Sequence, residues 1–492
     1  MFVCILNPLV IRKLFGNISF VVLLNVLIKP VWLVLENDVQ DKIGHTEFGL
    51  YTALFSLGYI FASLTDIGLN QYITKKLASE PSGIKGVFST IFALKITMLI
   101  LYPLFMTIVG WVIGYNEREI YFLIVLSFAQ AIVQLLFFLR ANFQANQHFM
   151  VDSTASVMDK FILILLVVIM LSQRITLDMF IYARLASLIV TVVIFYIVSI
   201  KLFDYIAPKL DLTNLKYLIK QSIPFAIITI LYSLNEKIDS VMIDYLSRVS
   251  LDVKKHADAG LYAAAYRFLD ASMMYLWTIL PLFFAKFAYH HSDFKEKQKL
   301  LNFGQIVVSI PMVFLSVFIF FYGEKLFFQQ KNSSPEQLLI MANVLKVLFF
   351  SAAIQGMFAI YSTLLTSTGF EKKVSKMIVG SIIINVIGNF IFIPIYGPIA
   401  SAWITVVSTL FLSLAYVYYT HTNLDVKVPY KIIMRLLIVF ILFSSVFYLL
   451  TLTALQWYLV TMLAGAFLLI FSYLSGLITL MLDSRHGSMK ES

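Results

Sequence analysis

The sequence predicts an all-α polytopic membrane protein with about 14 transmembrane helices, and three observations carry that prediction. Sixty per cent of its 492 residues are apolar and only 13% are charged, against about 45–50% and 25% in soluble domains. The mean hydropathy is +0.88. The apolar residues fall in continuous runs, and about 20 such residues cross a bilayer as a helix. A soluble chain needs a polar shell around its core, so lipid is the solvent for most of this one. That excludes a soluble enzyme and a disordered scaffold. Continuous runs also argue against a membrane β-barrel, whose strands alternate apolar and polar residues.

In chain order, the spans are expected at 14–35, 47–69, 86–114, 120–141, 153–172, 177–202, 217–245, 259–288, 301–323, 337–367, 374–396, 398–420, 432–453 and 456–482. The first run ends without a small-residue cleavage site, so it is expected to remain as the first span and to serve as the targeting signal. Runs such as 337–367 exceed the hydrocarbon thickness, so tilt or extension into water is expected. The division at Tyr396-Gly397-Pro398 rests on a Gly-Pro breaker with Pro398 able to open the next helix. All connecting loops are short, and the tail after Asp483 is too short to fold.

The net charge is +10. In a soluble chain this would point to nucleic acid; in a membrane protein, cations collect in cytoplasmic loops. With 14 spans, 22 Lys and Arg lie in loops on the side of the termini and 8 on the other side. Both termini are therefore expected in the cytoplasm, and no nucleic-acid partner is expected. The single cysteine, Cys4, leaves no internal disulfide and no cysteine zinc site.

Gly49-Leu50-Tyr51-Thr52-Ala53 opens the second span, and Gly260-Leu261-Tyr262-Ala263-Ala264 opens the eighth. The two lie six spans apart. An even offset gives two halves of the same orientation, related by a pseudo-twofold along the membrane normal, with a cavity between them. The expected divisions are an N-terminal lobe over 1–203, a C-terminal lobe over 204–421, and a final helix pair with its tail over 422–492.

Seven cations fall inside the spans: Lys29, Lys95, Lys160, Arg184, Lys237, Arg267 and Lys346. Each costs about 2.5–3.5 kcal/mol at a helix centre. Acids at similar depth are Asp66, Asp159, Glu236, Asp239, Asp244 and Asp270. Lys160 beside Asp159 reads as a snorkelling residue, and Asp244 as an interfacial one. Arg184 and Lys346 lie near span ends. Asp270 stands three residues after Arg267, where a local ion pair is the simpler reading. Pairing makes a deep charge tolerable without explaining why it is there. Lys29, Lys95, Lys237 and Arg267 are therefore the candidate substrate contacts, and Glu236, Asp239 and Asp270 are candidates for ion coupling. A cavity lined by cations suits an anionic passenger such as a diphosphate.

Enzyme signatures are absent: there is no P-loop and no H-E-x-x-H. His290-His291 adjoin in a cytoplasmic loop without a cysteine and are not expected to bind a metal. The loops are too small for a membrane glycosyltransferase, polymerase or ligase. No cofactor, metal or catalytic residue is expected.

The motifs Phe48-Gly49-Leu50-Tyr51, Asp66-Ile67-Gly68-Leu69, Ile238-Asp239 and Gly260-Leu261-Tyr262 through Arg267 occur in that order. Asn385-Val386-Ile387-Gly388-Asn389 and Ile393-Pro394-Ile395-Tyr396-Gly397-Pro398 through Trp403 follow. Together they resemble the polysaccharide-flippase (Wzx-type) family of the multidrug/oligosaccharidyl-lipid/polysaccharide exporter (MOP) superfamily, over essentially the whole chain. Ile399-Ala400 departs from a Gly-Ala common in that family. The resemblance implies two six-helix lobes, alternating access, and a passenger oligosaccharide on undecaprenyl diphosphate. It also implies a place in the bacterial inner membrane, in surface polysaccharide or lipopolysaccharide biosynthesis. A polysaccharide polymerase and glycosyltransferases are the implied partners. Related peptidoglycan-precursor flippases carry a cavity Arg after a Leu-Tyr-x-x-x-x-Arg stretch, which Leu261 to Arg267 matches. The alternatives are a multidrug or cation antiporter of the same superfamily and a non-transporting scaffold for an envelope glycosyltransferase complex.

Overall fold

The computed structural model describes residues 28, 30–66, 69, 85–146, 148–203, 208, 209, 211–249, 256–289, 294–424, 426–453 and 455–477. Among these residues the backbone is helical, with no strand. Helix α1 covers 30–43. It is followed by α2 (His45–Asp66), α3 (Lys85–Ile113), α4 (Glu117–Ala145), α5 (Phe149–Leu171), α6 (Leu177–Phe203) and α7 (Leu212–Val249). Then come α8 (Ala257–Tyr289), α9 (Phe294–Tyr322), a 3-10 turn (Gly323–Phe327), α10 (Pro335–Ser367), α11 (Glu371–Tyr396), α12 (Pro398–Asn423), α13 (Tyr430–Thr451) and α14 (Trp457–Leu474).

Helices α2 to α14 match the expected spans in order. Most run several residues further, because backbone hydrogen bonding continues into the polar flanks. The charged stretch Lys295–Lys299 is thus the first turn of α9, where Lys299 pairs with Glu296 at 2.6 Å. The last helix runs over Trp457–Leu474 and is followed by Gly476 with φ 73°; residues 478–482 of the expected span lie outside the described residues. The break at Gly397 is as the sequence predicts: its φ is 64° and Pro398 opens α12.

Twelve helices among the described residues are long and apolar enough to cross a bilayer, which makes this a multi-pass membrane protein. The first expected span falls mainly outside the described residues. Helix α7, 38 residues long, covers the seventh expected span and carries Glu236, Lys237, Asp239 and Asp244 in its second half.

The chain forms two compact units, Met1–Arg248 with Val253–Gly260, and Val249–Asp252 with Leu261–Ser492. In the first, α4 is central and packs on α2, α3, α5 and α6. An Asn116–Glu119 capping box starts α4, satisfying helix-end N–H groups that have no partner within the helix. Aromatic packing fills this unit: Phe92 stacks on Phe138 and Tyr196, and Phe180 packs on Phe48 and Tyr51.

In the second unit, α10 packs on α9, α11 and α12. Close approach comes from small residues, as is usual between membrane helices. A Cβ on Gly304 would meet Ile360 at 2.7 Å, and one on Gly388 would meet Ile404 at 2.6 Å. Buried hydrogen bonds add to this: Ser309 donates to the Gly356 carbonyl, Ser316 to Phe349, and Tyr361 to Gln305. The final pair, α13 and α14, docks on α9 through Phe443 and Phe447, which stack on Phe314 and Phe321.

Candidate functional site

Lys95 lies on α3, buried to 1% exposure, with its ammonium 2.6 Å from Asp66 and 3.4 Å from the Thr65 carbonyl. Both partners are neighbouring residues on α2. The structure therefore brings Lys95 together with Asp66 of the Asp66-to-Leu69 motif, a pairing across 29 residues.

On α7, Glu236, Asp239 and Ser240 share one face by helical spacing. Asp239 and Ser240 are buried, while Glu236 and Lys237 are half-buried. The Lys237 ammonium lies 3.3 Å from the Glu236 carboxylate, and the Tyr59 hydroxyl of α2 donates to the same carboxylate at 3.4 Å. Lys237 and two of the candidate coupling acids thus form one ionisable segment on α7.

Arg267 and Asp270 lie one turn apart on α8 and are both half-buried. Arg267 is ten residues from the helix start, or about 15 Å along the axis. Its Nε donates to the Ala263 carbonyl at 3.4 Å, and its two terminal guanidinium nitrogens are buried. One turn earlier, Tyr262 stacks on Tyr266. Lys29 lies outside the described residues.

The remaining intramembrane cations have local partners. Lys160 lies 3.7 Å from Asp159, Lys346 lies 2.8 Å from Glu324, and Arg184 sits over the Phe55 ring at 4.4 Å. Among the described residues no group of three or more His, Cys, Asp or Glu is arranged to hold a metal ion.

Sequence reasoning missed a buried polar cluster at the end of the bundle where α1 meets α2 and α3 meets α4. His256, just before α8, contacts Asp244 of α7 through Nδ1 and Glu119 of α4 through Nε2, the latter at 3.1 Å. Gln40 bonds His45 and donates to the Gly260 carbonyl, both at 2.8 Å. The two glycine motifs also meet there. A Cβ on Gly49 would overlap the His256 carbonyl, and one on Gly260 would overlap the His45 carbonyl. The contact is reciprocal. A signal for it lies in the sequence: His45, Glu47 and Gly49 recur 211 positions on as His256, Asp258 and Gly260.

The family model described as "Polysaccharide biosynthesis protein" matches residues 14–283, more than half of the chain. No curated protein matches the chain significantly. Among solved structures, the lipid II flippase MurJ in an inward closed conformation is similar at a TM-score of 0.76 and 16% identity, covering 93% of this chain and 99% of that one. An inward-facing multidrug resistance MATE family transporter gives 0.65 at 12% identity, with coverage of 79% and 92%. A MOP superfamily transporter from Pyrococcus furiosus, described as having a binding pocket of reverse polarity, gives 0.58 at 12% identity, with coverage of 83% and 94%. The chain belongs to the polysaccharide biosynthesis protein family, and its fold is that of the MOP-superfamily transporters.

Proposed function

We propose that this protein is a flippase, carrying undecaprenyl-diphosphate-linked oligosaccharide across the bacterial cytoplasmic membrane by alternating access. The observation that carries the reading is Arg267: a permanently charged fork with buried terminal nitrogens, ten residues into a membrane helix. A guanidinium matches phosphate oxygens in pairs, which an ammonium does not. The family membership supports a polysaccharide precursor as the passenger, and the flippase fold supports movement of a lipid-linked one. Lys29, Lys95 and Lys237 are the further proposed contacts, and Lys95 would have to exchange Asp66 for the passenger. Two six-helix lobes related by a twofold are part of the same proposal, supported by the matched Gly-Leu-Tyr stretches at Gly49 and Gly260. The sequence carries no P-loop, and an ion gradient or the membrane potential is the proposed drive for turnover. One charge moved through 100 mV supplies about 2.3 kcal/mol.

The test is translocation of lipid-linked oligosaccharide in cells carrying Arg267→Ala, Arg267→Lys, or Arg267→Ala with Asp270→Ala, with expression checked. All three are expected to be impaired. Normal transport by the double variant would make Arg267 a packing element and overturn the assignment. Efflux of cationic drugs by the wild type would favour the antiporter reading.

A further inference from the structure

We propose that Phe55, Tyr59 and Arg184, with Glu236 and Lys237, form a subsite that binds uncharged pyranose rings of the passenger; this rests on the flippase reading and says where its sugar sits. On α2, Tyr51, Phe55 and Tyr59 recur every four residues and so share one face of the helix. Ring centroids lie 5.8 Å apart between Tyr51 and Phe55, and 6.4 Å apart between Phe55 and Tyr59. Packing against Phe48 and Phe180 buries Tyr51, whereas Phe55 and Tyr59 stay half-buried. Two other helices bring charge to these rings. Arg184 of α6 places its guanidinium over Phe55, 4.4 Å from the ring centroid. The Tyr59 hydroxyl donates to Glu236 of α7 at 3.4 Å, and the Lys237 ammonium lies 3.3 Å from the same carboxylate. All these residues belong to the first compact unit.

The depth of the group matters. Phe55 and Tyr59 lie ten and 14 residues from the start of α2, Arg184 lies seven from the start of α6, and Glu236 lies 13 before the end of α7. These separations are roughly 10–21 Å along the helix axes. Charged side chains so deep in membrane helices face a bundle interior or a water-filled cavity, because lipid cannot solvate them. Glu236 keeps 28% of its side chain exposed. The exposed parts of the group are therefore open to a polar passenger.

The chemistry selects the kind of passenger group. A pyranose has an apolar C–H face, which packs on an aromatic ring, and a rim of hydroxyls that both donate and accept. Arginine and lysine only donate, an ionised carboxylate only accepts, and a phenol does both. A rim of mixed sign discriminates: Glu236 repels a phosphate, Arg184 and Lys237 repel a cationic drug, and an uncharged polyol uses all of them. An apolar floor with a few convergent polar groups is the usual form of a small-molecule site. The diphosphate is left to Arg267, and Lys237 meets the passenger through its sugar.

The experiment measures binding of two lipids to the purified full-length protein in nanodiscs: undecaprenyl diphosphate, and the same lipid carrying the oligosaccharide extracted from the source cells. The glycan should tighten wild-type binding. Arg184→Gln should weaken binding of the glycosylated lipid by about tenfold, the worth of a hydrogen bond to a charged group, and leave undecaprenyl diphosphate within about twofold. Phe55→Leu, which removes the flat ring, should act in the same direction. Arg184→Lys keeps a cation over Phe55 but loses the guanidinium fork, so it should stay weakened; full recovery would make Arg184 a packing charge and overturn the subsite. Equal losses for both lipids, no loss for either, or a wild type indifferent to the glycan also overturn it. Should Phe55→Leu fail to fold, the Arg184 variants decide. Arg267→Ala should weaken both lipids alike. If it weakens neither, the diphosphate assignment fails while a glycan-dependent loss in Arg184→Gln keeps the sugar subsite. If the wild type binds neither lipid, both proposals fail.

Discussion

Replacing either member of the Lys95–Asp66 pair should destabilise the protein far more than replacing both. At 2.6 Å and an effective dielectric of about 20, the attraction is roughly 6 kcal/mol. Desolvating two charges offsets much of it, so the pair contributes little net stability compared with apolar residues of similar size. Asp66→Leu strands an ammonium that is 1% exposed, and breaking such a pair costs about 3–5 kcal/mol. Lys95→Met takes the ammonium away from buried Asp66 and should also be destabilising. The double variant should fall between neutral and about 1–4 kcal/mol more stable than wild type. Reversible unfolding in mixed micelles measures all four proteins as a double-mutant cycle. Additive losses, with no coupling between the sites, would refute the reasoning. Translocation by the same double variant then tests Lys95 as a passenger contact: normal transport removes it from the proposed set.

Gly49→Ala and Gly260→Ala should each cost about 1–3 kcal/mol or more. The clashing atoms are backbone carbonyls of His256 and His45, which cannot swing away as a side chain can. Gly58→Ala, whose nearest neighbour is the Gln130 side chain at 3.6 Å, should be tolerated; equal thermal stability of the three would contradict the packing. Cysteines introduced at exposed Lys42 and Lys295 should differ in intact cells, only the first reacting with an impermeant reagent, and the reverse pattern would invert the proposed topology.

Hydropathy placed helices α2 to α14 in order and most of their ends within a few residues, because membrane insertion sums local contributions along the chain and lipid imposes the helical hydrogen bonding. Local chemistry also set particular boundaries: Gly397 and Pro398 separate α11 from α12 whatever surrounds them. The deep cations were legible too, since a charge in an apolar run needs no partner to be noticed. Their partners were not. Lys95 meets Asp66 across 29 residues, and His256 meets a carboxylate 137 residues away. Such pairings depend on the rotation and register of whole helices, which side-chain packing sets and one-dimensional pattern does not record. Asp244 shows the difference most plainly. Its position near a span end marks it as an interfacial residue, yet the packing of α4, α7 and the segment before α8 buries it fully and gives it His256. The matched Gly-Leu-Tyr stretches announced a repeat. Only the tertiary structure made them one contact, because it is the close approach of two backbones that requires glycine on both sides.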